Sequence, residues 1–384
     1  MLAVAVLAQT ATTVAIAAPA YLIPSLHAQG LSLAEGGALA AAPTIGIVFT
    51  LVAWGAAADR WGERRTLVAG LAATLGVIAL SLLATGPIAL ALAFGATGAA
   101  SGCTSAASGR LIVGWFPPAR RGLAMGIRQT CTPLGIAIGA VTVPTILDAT
   151  GSIPAALTVG GALVAVALLA VTLTVVDPVR APRDAATPAP NPYRASGTLA
   201  RIHAASMLLV VPQFTLQVFG LVWLIVGLGV DTVPAGIIVA LAQLGGAATR
   251  IGVGVVSDRA GSRLAPMRVV ALSAAVLTLA TAGAAAIGAV PLAVACYVLA
   301  SCATVAPNGL AFTAVAEIAG PAWAGRALGT QNTGQFIAGS IAPPVVGGLI
   351  GLVGYPLAYA IVAVTALAAI PVVPRDPHPE PSAP

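Results

Sequence analysis

The 384-residue chain is 59% hydrophobic and only 7% charged. A soluble domain carries about 25% charged residues, so this composition excludes water as the main solvent of the folded chain. The formal charge of +6 does not indicate nucleic acid: the basic side chains are all Arg, scattered over short loops between apolar stretches with no continuous basic face.

A helix needs roughly 20 apolar residues to cross the hydrocarbon core, and twelve such spans are predicted. The first six cover 2–24, 35–58, 66–85, 87–113, 122–147 and 152–176; the second six cover 201–228, 232–256, 267–287, 290–318, 325–350 and 354–374. The first span lacks a basic n-region and is longer than a signal-peptide h-region, so it is read as a retained helix. Between the halves, 177–200 holds Asp177, Pro178, Arg180, Pro182, Arg183, Pro188, Pro190, Pro192 and Arg194, the mixture of a flexible connector. The expected domains are therefore 1–176 and 201–374, six helices each, with a disordered Pro-rich tail over 375–384.

Arg placement sets the orientation. One set of loops carries Arg60, Arg64 and Arg65, then Arg120 and Arg121, the connector arginines, Arg259, Arg263 and Arg268, Arg326 and Arg375. The alternate loops, near 25–34, 86, 148–151, 229–233, 288–290 and 351–354, carry none. The positive-inside rule then puts both termini and the connector in the cytoplasm of a multi-pass plasma-membrane protein.

Gly55-Ala56-Ala57-Ala58-Asp59-Arg60-Trp61-Gly62-Glu63-Arg64-Arg65 follows the second span, and Gly254-Val255-Val256-Ser257-Asp258-Arg259-Ala260-Gly261-Ser262-Arg263 follows the eighth. In such a tight turn, glycines such as Gly55 and Gly62 let helices and backbone approach closely. An acid at Asp59 can accept hydrogen bonds or meet the positive end of a neighbouring helix. A charged turn occurring twice, at matching places, indicates two related halves. The turn resembles the signature of the major facilitator superfamily, Gly-x-x-x-Asp-Arg-x-Gly-x-Arg-[Arg/Lys]. Gly55, Asp59, Arg60, Gly62, Arg64 and Arg65 match it, and Gly254, Asp258, Arg259, Gly261 and Arg263 match its weaker second copy. The resemblance covers the whole chain. It implies an all-α membrane protein of two pseudo-symmetric six-helix bundles, a site between them near the midplane, and rocking-bundle alternating access. It also implies that Asp59 and Arg60 act as a conformational latch, with Arg110 as partner.

A second internal match aligns Gly126 with Gly329, which sets Arg128 against Gln331, Gln129 against Asn332 and Thr130 against Thr333. Arg128 is the sharpest candidate for substrate contact. It lies roughly six residues, about 9 Å, into the fifth span, and no Asp or Glu lies at comparable depth. An intramembrane Arg costs about 2.5–3.5 kcal/mol on insertion scales, so an anionic ligand is its expected partner; snorkelling to the surface is the competing reading. Gln213 and Gln217 share a face of the seventh span, and Gln331 and Gln335 share one of the eleventh. With Gln129 and Asn332 these complete the expected substrate-binding set, and Gln9, Thr12, Thr13, Gln243 and Asn308 mark further polar stripes. Helix-to-helix glue is the alternative for each.

Coupling is open on the sequence. Glu35 and Asp148 lie near outer span ends, Asp231 in an outer loop, and His27 and His203 at span edges. Proton coupling through Glu35 or Asp148, anion exchange and uniport all remain. Cys103, Cys131, Cys296 and Cys302 fall in apolar runs without ligand spacing, so they read as packing residues. No metal or cofactor is expected. There is no nucleophile elbow or phosphate loop, which argues against an enzyme. The expected function is transport of a small, anionic solute by a monomer embedded in lipid. The alternative is efflux of a lipophilic or cationic compound; against it, Gly135-Ile136-Ala137-Ile138-Gly139-Ala140-Val141-Thr142-Val143-Pro144 lacks the Gly-Pro and Gly-Gly pairs of the family's drug antiporters.

Overall fold

The computed structural model describes residues 1–116, 124, 127–178 and 190–375. Arg120, Arg121, connector positions 179–189 and the tail from 376 onward lie outside the described residues, as does the start of the expected fifth span. Every described element is helical. Hydrocarbon offers no partner to a free amide or carbonyl, and a helix satisfies its own backbone.

In chain order the helices are α1 (Leu2–Ala28), α2 (Leu33–Trp61), α3 (Glu63–Ser81), α4 (Pro87–Trp115), α5 (Cys131–Thr150) and α6 (Ile153–Thr174). After a single turn at Pro192–Ala195 come α7 (Thr198–Val222), α8 (Thr232–Ala260), α9 (Leu264–Ala286), α10 (Val290–Val305) and α11 (Pro307–Val372). Local chemistry sets several ends. Ser32 accepts from the Glu35 amide while Glu35 accepts from the Ser32 amide, a capping box that starts α2. Pro307 has no amide hydrogen to donate, which fits the interruption between α10 and α11.

Eleven described helices are long and apolar enough to cross a membrane. The last, Trp323–Val372, has 50 residues. Drawn straight it would be about 75 Å long, more than twice a hydrocarbon core of roughly 30 Å. Gly354 breaks it at φ +77, a left-handed backbone that glycine adopts without cost. The run thus supplies the eleventh and twelfth crossings. Large apolar side chains such as Phe49, Leu83, Ile88 and Leu352 lie about four-fifths exposed, as suits a surface solvated by lipid.

The described residues form two compact units. The first holds the residues before 179 together with Phe214–Leu244 and Gly339–Ala358; the second holds 190–213, Gly245–Ala338 and 359–375. In the first, α2 and α3 pack along α4, and α1 packs along α5 and α6. Contact is close because side chains are missing: a Cβ at Gly46 would overlap the Gly95 carbonyl, and one at Gly98 the Pro43 carbonyl. The core there is built from Leu67, Leu71, Leu111, Ile112, Val164 and Val171. At the end carrying the Arg-free connections, Gly37 meets the Pro343 carbonyl, Gly347 the Leu33 carbonyl and Gly236 the Ala140 carbonyl. These contacts join α2 to α11 and α5 to α8. The second unit has its own core, including Leu199, Ile202, Met267, Leu310 and Val315.

Candidate functional site

In the first unit, α1, α4 and α5 bring a polar cluster together. Ser101, Thr104 and Ser108 recur on one face of α4 and are buried. Thr104 lies 3.0 Å from the Thr12 hydroxyl. The Ser108 hydroxyl lies 2.9 Å from Gln9 Oε1 and 2.5 Å from the Thr104 carbonyl, so its single proton can serve either. Arg128 completes the cluster: its Nε donates to Ser108 Oγ at 3.0 Å, and its Nη1 reaches Gln129 Oε1 at 3.4 Å.

Arg128 is only 8% exposed, so the guanidinium lies inside the fold, and its recorded partners are neutral. No ion pair to it is found among the described residues. Gln129 is exposed beside it. Tyr21 is buried and donates to the Ile136 carbonyl at 3.0 Å.

In the second unit, Asn308 Nδ2 donates to Gln213 Oε1 at 2.9 Å, and Gln335 Nε2 donates to Asn308 Oδ1 at 3.1 Å. Gln331, one turn before Gln335, bonds instead to Nδ1 of His203 on α7. The other ring nitrogen of His203 lies 2.9 Å from the Tyr193 hydroxyl. Gln331 Nε2 and Ser206 Oγ are buried without a hydrogen-bond partner among the described residues. An unmet buried donor costs about 1–3 kcal/mol. Gln217 and Asn332 are half-buried and join neither network.

The charged turns are built differently in the two halves. Arg110 Nη2 donates to Asp59 Oδ1 at 2.6 Å, and Arg110 Nε lies 3.4 Å from Oε1 of the buried Glu63. Gly62, at φ +92, faces the Asp177 carboxylate; Asp177 Oδ1 accepts from the Arg64 amide at 2.7 Å, at the positive end of α3. Arg64 Nη2 donates to the Thr172 carbonyl at 2.7 Å, and Trp115 Nε1 to the Val176 carbonyl at 2.9 Å. In the second turn the base and acid exchange places: Arg263 bonds Asp258 and reaches Glu317 at 3.0 Å. Those two carboxylates, Glu317 first, hold the Arg263 guanidinium above its ordinary pKa. Arg60 and Arg259 are exposed. Gly55 and Gly254 have open space around them, so of the two close approaches expected, at Gly55 and Gly62, only the one at Gly62 is made.

Sequence reasoning passed over Ser108, Glu63, Asp177 and the His203–Tyr193 pair. The three-and-four spacing of Ser101, Thr104 and Ser108 was a readable signal for the first. Contacts such as Asp177 with Gly62 join residues more than a hundred positions apart and carry none.

The sequence profile described as Major Facilitator Superfamily matches residues 1–343. The chain is 44% identical over 363 residues to "Uncharacterized MFS-type transporter Rv2994" of Mycobacterium tuberculosis (strain ATCC 25618 / H37Rv), covering 92% of this chain and 80% of that one. Among solved structures, the nucleoside transporter NupG is similar at TM-score 0.75 and 18% identity, over 97% of this chain and 98% of that one. The human organic anion transporter MFSD10 (TETRAN) is similar at TM-score 0.73, with the same identity and coverage.

Proposed function

The chain belongs to the Major Facilitator Superfamily, and from that premise we propose that it carries a small organic or inorganic anion, with Arg128 as the charge that binds it. It is a multi-pass membrane transporter of a solute, not an enzyme. The observation that carries the anion reading is the burial of Arg128 among Gln9, Ser108 and Gln129 with neutral partners only. A buried charge is costly unless paired. Ser108 holds the guanidinium through Nε and Gln129 lies 3.4 Å from Nη1, so the remaining Nη hydrogens would take a carboxylate, phosphate or sulfate in the two-pronged geometry that Arg favours. Gln213, Gln331 and Gln335, with Asn308, are further neutral hydrogen-bonding groups proposed for the solute; Gln217 and Asn332 are candidates that join neither network. Organic anions and nucleosides are cargo of structural neighbours, a likeness of fold at this identity, so the cargo class rests on Arg128.

Transport by this reading is alternating access in a lipid-embedded monomer of the plasma membrane, termini and connector on the cytoplasmic side by Arg placement. The carbonyl contacts of Gly37, Gly347 and Gly236 would then be the closed outer gate. Asp59, Arg60, Gly62, Arg64 and Arg110, with Gly55, Asp258 and Arg259, would form the cytoplasmic latch.

The test is uptake into liposomes of labelled anions and lipophilic cations. Arg128→Gln is expected to lower anion uptake at least about tenfold, the equivalent of 1.4 kcal/mol, at unchanged abundance. Undiminished uptake in that variant would sink the reading, and transport of lipophilic cations alone would replace it with efflux.

A further inference from the structure

Besides the Arg128 guanidinium, the described interior holds a buried histidine that no carboxylate claims. In the second unit the described acids are Asp258 and Glu317, and both are engaged by Arg263. In the first, Asp59 and Glu63 meet Arg110, Glu35 is spent on the α2 capping box, Asp177 accepts from the Arg64 amide, and Asp148 and Asp231 are exposed. His203 is different: it is 9% exposed and sits five residues into α7, with both ring nitrogens occupied.

We propose that His203 is the proton-binding site of the transport cycle, placed where α7, the turn at Pro192–Ala195 and α11 meet. Its partners accept either protonation state. Gln331 Oε1 takes the hydrogen on Nδ1 throughout. The Tyr193 hydroxyl donates to Nε2 of the neutral ring and turns to accept from Nε2 of the imidazolium. Binding a proton therefore makes and breaks no bond between heavy atoms and strands no polar group, while adding a full charge at the joint of three elements. Tyr193 is half-buried.

The surrounding charges leave that charge free to act. On α7, Arg201 is held by the Val372 and Pro371 carbonyls at 3.0 Å each. The Pro192–Ala195 turn brings Tyr193 and the exposed Arg194. From α9, Arg268 is held by the Val373 and Pro374 carbonyls. From α11, Arg326 stacks over Trp323 at 4.8 Å, and Trp323 meets Tyr193 edge-on at 6.5 Å between centroids. No described carboxylate bonds the ring. Gln331 Nε2 on α11 and Ser206 Oγ, one turn after His203 on α7, are buried without a hydrogen-bond partner among the described residues. That one proton would make transport of a monovalent anion electroneutral rests on the anion reading.

Protons are the probe. Full-length protein in liposomes on a solid-supported electrode is given a step from about pH 8 to about pH 6, the range where histidine charge changes, with no solute present. The wild type is expected to give a proton-binding current that His203→Gln loses and His27→Gln keeps; an undiminished current in His203→Gln overturns the proposal. If His203→Gln does not reach the membrane, Gln331→Leu decides. It leaves the ring in place and removes the acceptor that favours the cation, so the midpoint of the current should move to lower pH; an unmoved midpoint overturns the proposal. A surviving current alongside stabilisation by anions would end the proton site and spare the anion reading. A lost current with no anion bound would do the reverse.

Discussion

Gly62 has φ +92 and ψ 167, a region essentially reserved for glycine, and the Asp177 carboxylate fills the space a Cβ would need. Gly62→Ala is expected to destabilise the fold by at least about 1–3 kcal/mol, and adding Asp177→Ala should relieve the clash but not the backbone strain. Thermal unfolding of the purified variants checks both, and full rescue by the second change would contradict this account. Around Arg110 the ranking follows burial. Asp59 is 46% exposed and Arg110 36%, so that pair is worth about 0.2–1 kcal/mol after solvent screening. Glu63 is 3% exposed, and Arg110→Met would take away the Arg110 share of the positive charge that faces it in the interior. Arg110→Met should therefore lower the melting temperature more than Asp59→Asn, with Glu63→Gln added on top restoring part of the loss. The residues of the candidate site were legible only in part. Arg128, Gln213, Gln331 and Gln335 stood out as polar groups in apolar runs, but their partners did not. His203 read as a span-edge residue because chain position does not reveal that Tyr193 and Gln331 cover it.

The helices themselves were written plainly in the sequence. Apolar runs of about 20 residues fix the crossings, and alternating Arg-rich and Arg-free loops give an independent check on their number. What the sequence did not reveal was where helices touch through missing side chains. Gly46 and Gly98 looked like any glycine among many, yet each meets a backbone carbonyl across α2 and α4. The same holds for Gly236 and Gly347. A backbone carbonyl cannot rotate aside as a side chain can, so Gly236→Leu or Gly347→Leu must part the helices. The nearby cavity of about 380 Å³ is lined by Tyr21, Ser25, Asp148 and Thr232 among others. Ser25→Cys on its wall should label several-fold faster with a membrane-impermeant thiol reagent when combined with either glycine change. Equal labelling would show that these contacts do not close that end. The division of the last helical run into two crossings likewise turns on a single residue, Gly354, whose left-handed backbone is not signalled by its surroundings in sequence.

For the molecule as a whole, family membership settles the fold and the class of activity, and leaves the cargo to the interior chemistry. That chemistry is a buried cation with neutral neighbours in one unit and an amide–imidazole network in the other. The most direct test of the anion reading is thermal stability of the purified protein against a panel of organic and inorganic anions and lipophilic cations, with Arg128→Gln in parallel. A ligand at a hundred times its dissociation constant stabilises the folded state by about 2.7 kcal/mol. The predicted result is stabilisation by at least one anion that disappears in Arg128→Gln. Stabilisation by lipophilic cations, equal in both proteins, would contradict it.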